Sequence, residues 1–390
     1  MYRTVKTSFS ANKETIEKLF HIRRICGVIW NDCVQLARYY YRLGNHWITQ
    51  TELQKELKGK YPIHSQTIQA VAHKFLQARD SAKEARKSDK NIRFPYKMKK
   101  TFNPKWVDQA FSIEKNTLYL SLGNTKGPDG KRLPKLKIKL HHVPEGEVKE
   151  VELVYDRGLK FCLSYEDGKQ ASSSTGTNIA AVDQGEIHAI SAVSENGSSI
   201  IITGRKMRSI HRLRNKKLAE LQKLMSRCKK GSRKWKTYNR AKQYILSKSE
   251  AQLKDCLHKT TKEFVDWCLE QQIKHVVVGD VEGVQRNTKK KRNKNTNQKL
   301  SNWSFGKLYD YLKYKLEAKG ITIEKVDESY TSQTCPVCGK RNKVKNRNYR
   351  CACGYEQHRD IHGASNILTK YLYGKMIPIS IQPPTYLRIT

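Results

Sequence analysis

Acidic side chains are few beside basic ones: 390 residues carry 36 Asp and Glu against 76 Lys and Arg, a formal charge of +40. Self-repulsion of that size is costly without a polyanionic partner, which argues against an enzyme of small neutral substrates. Long apolar runs are also missing, and none approaches the roughly 18 residues that a membrane-spanning helix needs. The opening MYRTVKTSF has no apolar h-region of a signal peptide. No membrane partner is therefore expected, and nucleic acid is the polyanion that fits. A disulfide framework is lacking as well. Of ten cysteines, Cys26, Cys33, Cys162, Cys228, Cys256 and Cys268 are scattered through apolar or helical stretches and only four cluster, the pattern of a reducing compartment with one metal site. No internal repeat is present, and the length exceeds one ordinary domain.

What is there changes character along the chain. Tyr2 to Phe9 alternate like a strand, and helical periodicity from a cap at Asn12 runs to about residue 87, with breaks near Gly44 and at Tyr61-Pro62. Short β-type runs follow from Arg93, including LPKLKIKL and VELVYDRGLKFCLSY, and predict an antiparallel barrel or sheet. GKQASSSTGT (168–177) reads as a linker. Beyond it, NIAAVDQGEIHAISAVSENGSSIIITG reads as three successive strands with a turn at Asn196-Gly197. Residues 205 to 244 hold 16 Lys or Arg and one acid, Glu220, at helical spacing, and predict a basic helical hairpin. A buried-type strand IKHVVVGDV, a polar loop 285–299, a helix 302–319, a strand ITIEKVDES, the cysteine cluster and a helix around HGASNILTKYL complete the order. The tail from Ile377, with Pro383-Pro384, reads as disordered.

Cys335-Pro-Val-Cys338 and Cys351-Ala-Cys353 are CxxC and CxC pairs, each followed by a glycine. Four thiolates complete one tetrahedral Zn²⁺ and leave no open position for a water, so the ion is structural. The acids make a second pattern. Three strands, a helical insertion, a fourth strand, a helix and a fifth strand is the order of an RNase H type sheet, whose enzymes hold two Mg²⁺ with carboxylates at strand ends. Asp183 ends the strand AAVD, and Asp360 opens the last helix in HRDIHGASNI.

The motifs IWNDC, SQTIQ, RFPYK, AAVDQG, LKDCLHKTT, HVVVGDV, ESYTSQTCPVCG, CxCG and RDIHGASNI together resemble the TnpB family of insertion-sequence proteins over nearly the whole chain. The resemblance implies an α/β multi-domain fold: a wedge β-barrel domain at 1–11 and 91–170, and a helical recognition lobe at 12–90. It further implies a RuvC-like nuclease domain at 171–334 and 354–372 with the basic insertion 205–270, a zinc ribbon at 335–353, and a tail at 373–390. The activity it implies is RNA-guided, Mg²⁺-dependent DNA cleavage beside a short adjacent motif. The implied partners are a structured guide RNA from the element's end, target double-stranded DNA and a companion transposase, in a cytoplasmic, nucleoid-associated prokaryotic protein that is a monomer or weak dimer.

One position departs from the family pattern. The metal-binding glutamate common at the end of the fourth strand is Gly279 here. Either the site is dead, as in guided repressors, or Glu328, just before TSQTC, replaces it, as in a subset shared with the similar Fanzor proteins. Neighbouring strands lie about 4.8 Å apart, which a Glu side chain can largely span, with Gly279 supplying the room. Asp280 and Glu282 rank behind, since Asp280 alternates to the opposite face. His362, where many relatives have Asn, accompanies the relocated acid. On the second reading the expected catalytic and Mg²⁺-binding set is Asp183, Glu328 and Asp360. The expected nucleic-acid contacts are Arg205, Lys206, Arg208, Arg212, Lys216, Lys229, Lys230, Arg233, Lys234, Lys289, Lys290, Lys291 and Arg292. A miniature type V CRISPR effector is a further alternative, whereas nothing resembles the Tyr or Ser chemistry of strand-joining transposases. Trp30, Tyr39, Tyr40, Tyr41 and Trp47 fit core positions better than base-stacking ones.

Overall fold

A computed structural model describes residues 2–389 apart from 127, 128, 169, 171, 174, 175, 282–296, 300, 301 and 345. The chain divides into two compact units, Met1–Lys169 and Gln170–Thr390, so the division falls within the small polar stretch 168–177.

In the first unit, β1 (Tyr2–Thr7) and β2 (Phe9–Ser10) lead into α1 (Lys13–Gly44), α2 (Gln50–Leu57) and α3 (Ser65–Ser88). Asn12 caps α1 by accepting from the Thr15 N–H at 2.8 Å, and Thr49 with Glu52 forms a capping box on α2. The strands that follow are β3 (Lys105–Val107), β4 (Phe111–Glu114), β5 (Thr117–Leu120), β6 (Leu136–Leu140), β7 (Glu147–Tyr155) and β8 (Leu159–Glu166). They form two four-stranded sheets, ordered β1-β8-β7-β3 and β2-β6-β5-β4, with antiparallel pairing between neighbours. The expected barrel is thus two sheets around one core. Ser8 carries the chain from one to the other, and Leu118, Ile138, Val151 and Leu163 pack with Leu19, Cys26, Trp30 and Phe75 of the helices. Trp30 is buried as anticipated, while Tyr39 and Tyr41 are exposed.

The second unit begins with β9 (Asn178–Asp183), β10 (His188–Ser194) and β11 (Ser199–Thr203). Helices α4 (Arg205–Ser226) and α5 (Arg233–Glu270) form the hairpin, and β12 (Ile273–Gly279), α6 (Phe305–Glu317) and β13 (Thr322–Val326) follow. A ribbon hairpin, β14 (Asn348–Arg350) with β15 (Glu356–His358), leads into α7 (Arg359–Tyr373) and β16 (Thr385–Arg388). The sheet order β13-β12-β9-β10-β11-β16 contains the anticipated RNase H arrangement, with β12 parallel to both β9 and β13.

Two expectations need correction. The tail expected to be disordered supplies β16, which runs parallel to β11 and packs the half-buried Leu387 against the core. Main-chain hydrogen bonds, blind to side-chain type, hold a stretch whose Pro383-Pro384 pointed the other way. The ribbon also extends past residue 353, because β14 pairs with β15 up to His358.

Strand alternation sorts the sheet's residues between two layers. Ala180, Val182, Val276 and Val278 face α5 and α6. Ala181, Val193 and Val277 face α7, whose Ile361, Ala364, Ile367 and Leu368 are fully buried, each large side chain contributing about 1.5–3 kcal/mol. Residues 181 and 183, 277 and 279 share parity. The strand-end positions Asp183 and Gly279 therefore lie on the α7 side, where Asp360 begins the helix.

Candidate active site and zinc ribbon

Ladder register sets the carboxylates in place. Val182 pairs with Val278, and Gly279 pairs with Val326, so the C-terminal ends of β9, β12 and β13 lie side by side. Glu328 follows Val326 by two residues and folds back over the vacant position. A Cβ built on Gly279 would collide with Glu328 Oε2 and would lie 3.1 Å from Glu328 Cβ and 3.0 Å from Ile367 Cδ1. Above Asp183, Gly363 of α7 plays a similar part, since a Cβ there would fall 2.5 Å from Asp183 Oδ2. Two glycines on opposite layers thus make room for two acids.

Asp183, Glu328 and Asp360 line one cavity of about 310 Å³, together with Gln184, Glu186, His188, Trp303, Thr331, Arg347 and Arg359. The carboxyl of Asp183 is pushed up to about 8, first by burial and then by the charges of Glu328 and Asp360. That of Glu328 is pushed up to about 7 by burial, with Asp280 and Asp327 adding to the effect. Asp280 therefore reaches this acid through its field. For Asp360, burial acts upward, but the His188 hydrogen bond and the charges of His188, Arg347 and His358 outweigh it and hold the group low. His188 Nδ1 lies 2.6 Å from Asp360 Oδ2, and Arg347 Nη1 donates to the same oxygen at 3.2 Å.

These groups fit a hard divalent cation: all donors are carboxylate oxygens, and two acids resist ionising together until positive charge joins them. The three carboxylates do not close as tightly as the cysteines do, for the described groups within 4.8 Å of one another are the four thiols and the set His188, His358 and Asp360. A span wider than one ion's shell suits a site for two ions about 3.5 to 4 Å apart.

The thiols sit on two knuckles. Cys335 Sγ lies 3.5 Å from Cys353 Sγ, and Cys338 Sγ lies 3.5 Å from Cys351 Sγ. Tetrahedral Zn²⁺ with bonds of about 2.3 Å puts sulfurs about 3.8 Å apart, so the cage fits that ion. Each knuckle closes with a glycine in the left-handed region, Gly339 at φ +70 and Gly354 at φ +90, whose N–H donates to Cys335 O and Cys351 O. His362 packs here. Its ring stacks on Tyr349 at 3.9 Å, and burial pulls its imidazole down to about 4. Asn366 Nδ2 donates to Thr331 O and Thr334 O at 2.8 Å, which fastens α7 to the ribbon's base.

The basic hairpin is solvent-facing, and α4 has no buried residue. Arg205, Arg212, Lys216, Lys229, Lys230, Arg233 and Lys234 are exposed, whereas Lys206 and Arg208 are half-buried. Arg208 Nε lies 3.1 Å from Glu186 Oε1, so its charge is partly neutralised inside the protein. Lys289, Lys290, Lys291, Arg292 and Glu282, with most of the polar loop 285–299, lie outside the described residues. Sequence reasoning missed His188, Arg347 and Gly363. Gly363 stood within a motif that was read as a whole, while no spacing rule marks His188, which opens a strand far from Asp360 in sequence.

Sheet order, strand-end acids and the four-cysteine knuckles define a RuvC-like RNase H fold that carries a zinc ribbon. The resemblance to TnpB proteins is borne out by comparison with known proteins. Residues 162–285 match the family described as "Probable transposase", and residues 305–367 match the Cas12f1-like TNB domain. A TnpB-like protein of Methanocaldococcus jannaschii is 27% identical over 199 residues, 50% of this chain and 69% of that one. The CRISPR-associated endodeoxyribonuclease Cas12f1 of Sulfoacidibacillus thermotolerans is 40% identical over 72 residues, 17% of each chain. Among solved structures, a Cas12f1–sgRNA–target DNA complex shares the fold with a TM-score of 0.63 at 15% identity, covering 90% of this chain and 82% of that one. No helix among the described residues is long and apolar enough to cross a membrane.

Proposed function

We propose that this chain is a transposon-encoded, RNA-guided DNA endonuclease that hydrolyses phosphodiesters with Mg²⁺ held by Asp183, Glu328 and Asp360. The observation that carries the reading is the Glu328 side chain filling the space over Gly279, which returns an acid to the fourth strand's end. Bound Mg²⁺ supplies positive charge for water activation and for the leaving oxygen. The chain's own groups do the rest: His188 and Arg347 fix the Asp360 oxygen, and Arg347 and Arg359 present cations at the cavity where a phosphate would enter. The exposed cations of α4 and of the start of α5 hold guide and target by their phosphates, which carries no sequence information. A 5′-phosphate end results.

The guide is a structured RNA from the element's own end, the target is double-stranded DNA beside a short motif, and a companion transposase moves the element. Sequencing RNA that copurifies with the chain, then assaying matched DNA with and without Mg²⁺, tests the whole reading. Glu328→Ala should abolish cutting and keep the RNA. A wild type that binds RNA and never cuts in Mg²⁺ would make this a guided repressor instead.

A further inference from the structure

Beside the three acids lies a donor set of another chemical kind. One ligand atom each from His188, His358 and Asp360 lies within 4.8 Å of the others. The three side chains come from the start of β10, the end of β15 and the first turn of α7, so three separate elements converge on one point. His358 Nδ1 is buried and has no hydrogen-bond partner, which is uncommon for a polar nitrogen inside a protein. On the far side of His188, Nε2 lies 3.4 Å from the Tyr386 hydroxyl of β16, the outer partner that a metal-binding imidazole ordinarily has.

We propose that His188, His358 and Asp360 form a second divalent-cation seat, which shares Asp360 with the carboxylate site and takes a borderline ion such as Zn²⁺ or Co²⁺ in preference to Mg²⁺. Two imidazole nitrogens and one oxygen suit such ions, whereas Mg²⁺ keeps to oxygen donors and its own waters. The cation now touching Asp360 is Arg347, an exposed residue of the ribbon whose guanidinium is screened by solvent. A divalent ion replaces it without disturbing the sheet.

The test uses the full chain with zinc in its ribbon, excess Mg²⁺, and Co²⁺ as the optical probe. One equivalent of Co²⁺ should bind with weak visible absorption and without the strong near-ultraviolet band of thiolate ligation, which reports exchange into the cysteines. His358→Ala and His188→Asn should each weaken that equivalent by at least about 10-fold, and Tyr386→Phe by about 10- to 100-fold. Zinc content of one per chain shows that each variant is folded. Asp183→Ala should leave the equivalent in place. The proposal is overturned if no Co²⁺ binds over Mg²⁺, or if His358→Ala binds it as the wild type does. It is overturned equally if Asp183→Ala abolishes the binding, since the ion then belongs to the three acids. Neither guide nor target is needed, so failure here leaves the cleavage reading standing.

Discussion

Gly279→Ala is the smallest change that tests the proposed relocation of the fourth-strand acid to Glu328. Its new methyl must displace the Glu328 carboxylate, because Glu328 Cβ at 3.1 Å and Ile367 Cδ1 at 3.0 Å leave it no other place. Inserting one carbon into a filled interior costs about 1–3 kcal/mol. For a unit of this size each kcal/mol lowers the melting temperature by about 2–4 °C, so a fall of about 2–12 °C is expected. Cleavage of guide-matched DNA should drop by at least about 10-fold, since a shift of 1 Å at a catalytic group can cost about 100-fold. Copurified RNA should stay constant, because position 279 lies at a strand end on the α7 side and the substitution removes none of the hairpin's cations. The measurements are differential scanning fluorimetry, single-turnover cleavage and RNA yield per mole of protein. A companion variant, Gly279→Glu with Glu328→Ala, moves the acid back to the fourth strand and should recover part of the activity lost in Glu328→Ala. Unchanged cutting and melting in Gly279→Ala would refute the argument, for it would mean that Glu328 does not depend on that space.

Two further outcomes follow from the electrostatics and the ribbon. Asp183 and Glu328 have carboxyls raised to about 8 and about 7, so the fold favours their protonated forms. Their contribution is full below the ordinary carboxyl range near pH 4 and is lost as pH climbs through about 7 to 8. The stabilisation that Mg²⁺ confers should therefore grow between pH 5 and pH 8, with protons released on binding, as fluorimetry and calorimetry in two buffers can show; equal Mg²⁺ effects at both pH values would contradict this. Cys338→Ser should release zinc and raise hydrogen exchange across 335–358 and in the first turn of α7, because the His362–Tyr349 stack and the Arg359 N–H bond to Arg347 O at 2.7 Å join ribbon to helix. Unaltered exchange in that turn would uncouple the two.

The sequence disclosed those parts whose chemistry is local. Knuckle cysteines are set by spacing alone, and strands β9 to β11 announced themselves through β-branched and small residues broken by polar turns. Glu328 was singled out by the family resemblance alone, and the spacing of neighbouring strands only made that position plausible. What stayed hidden depends on long-range pairing. Thr385 to Arg388 joins the sheet by backbone contacts, and a strand so short, next to two prolines, carries no pattern of its own. His188 was invisible for a related reason: its meaning arises only when β10 is brought under the start of α7. Tyr39 and Tyr41 ran the other way, since helical spacing suggested burial and both are exposed.

The crowding between residues 279 and 328 restricts the route by which such an acid can migrate between strands over generations. A glutamate at 279 and another at 328 cannot occupy the one volume, and each would add charge to a place already resisting it. A lineage must accept a small residue on the fourth strand no later than the new acid settles on the fifth. Homologues with this ladder register should carry one acid or the other, with a small side chain opposite, and comparison of many sequences can read that exclusion directly.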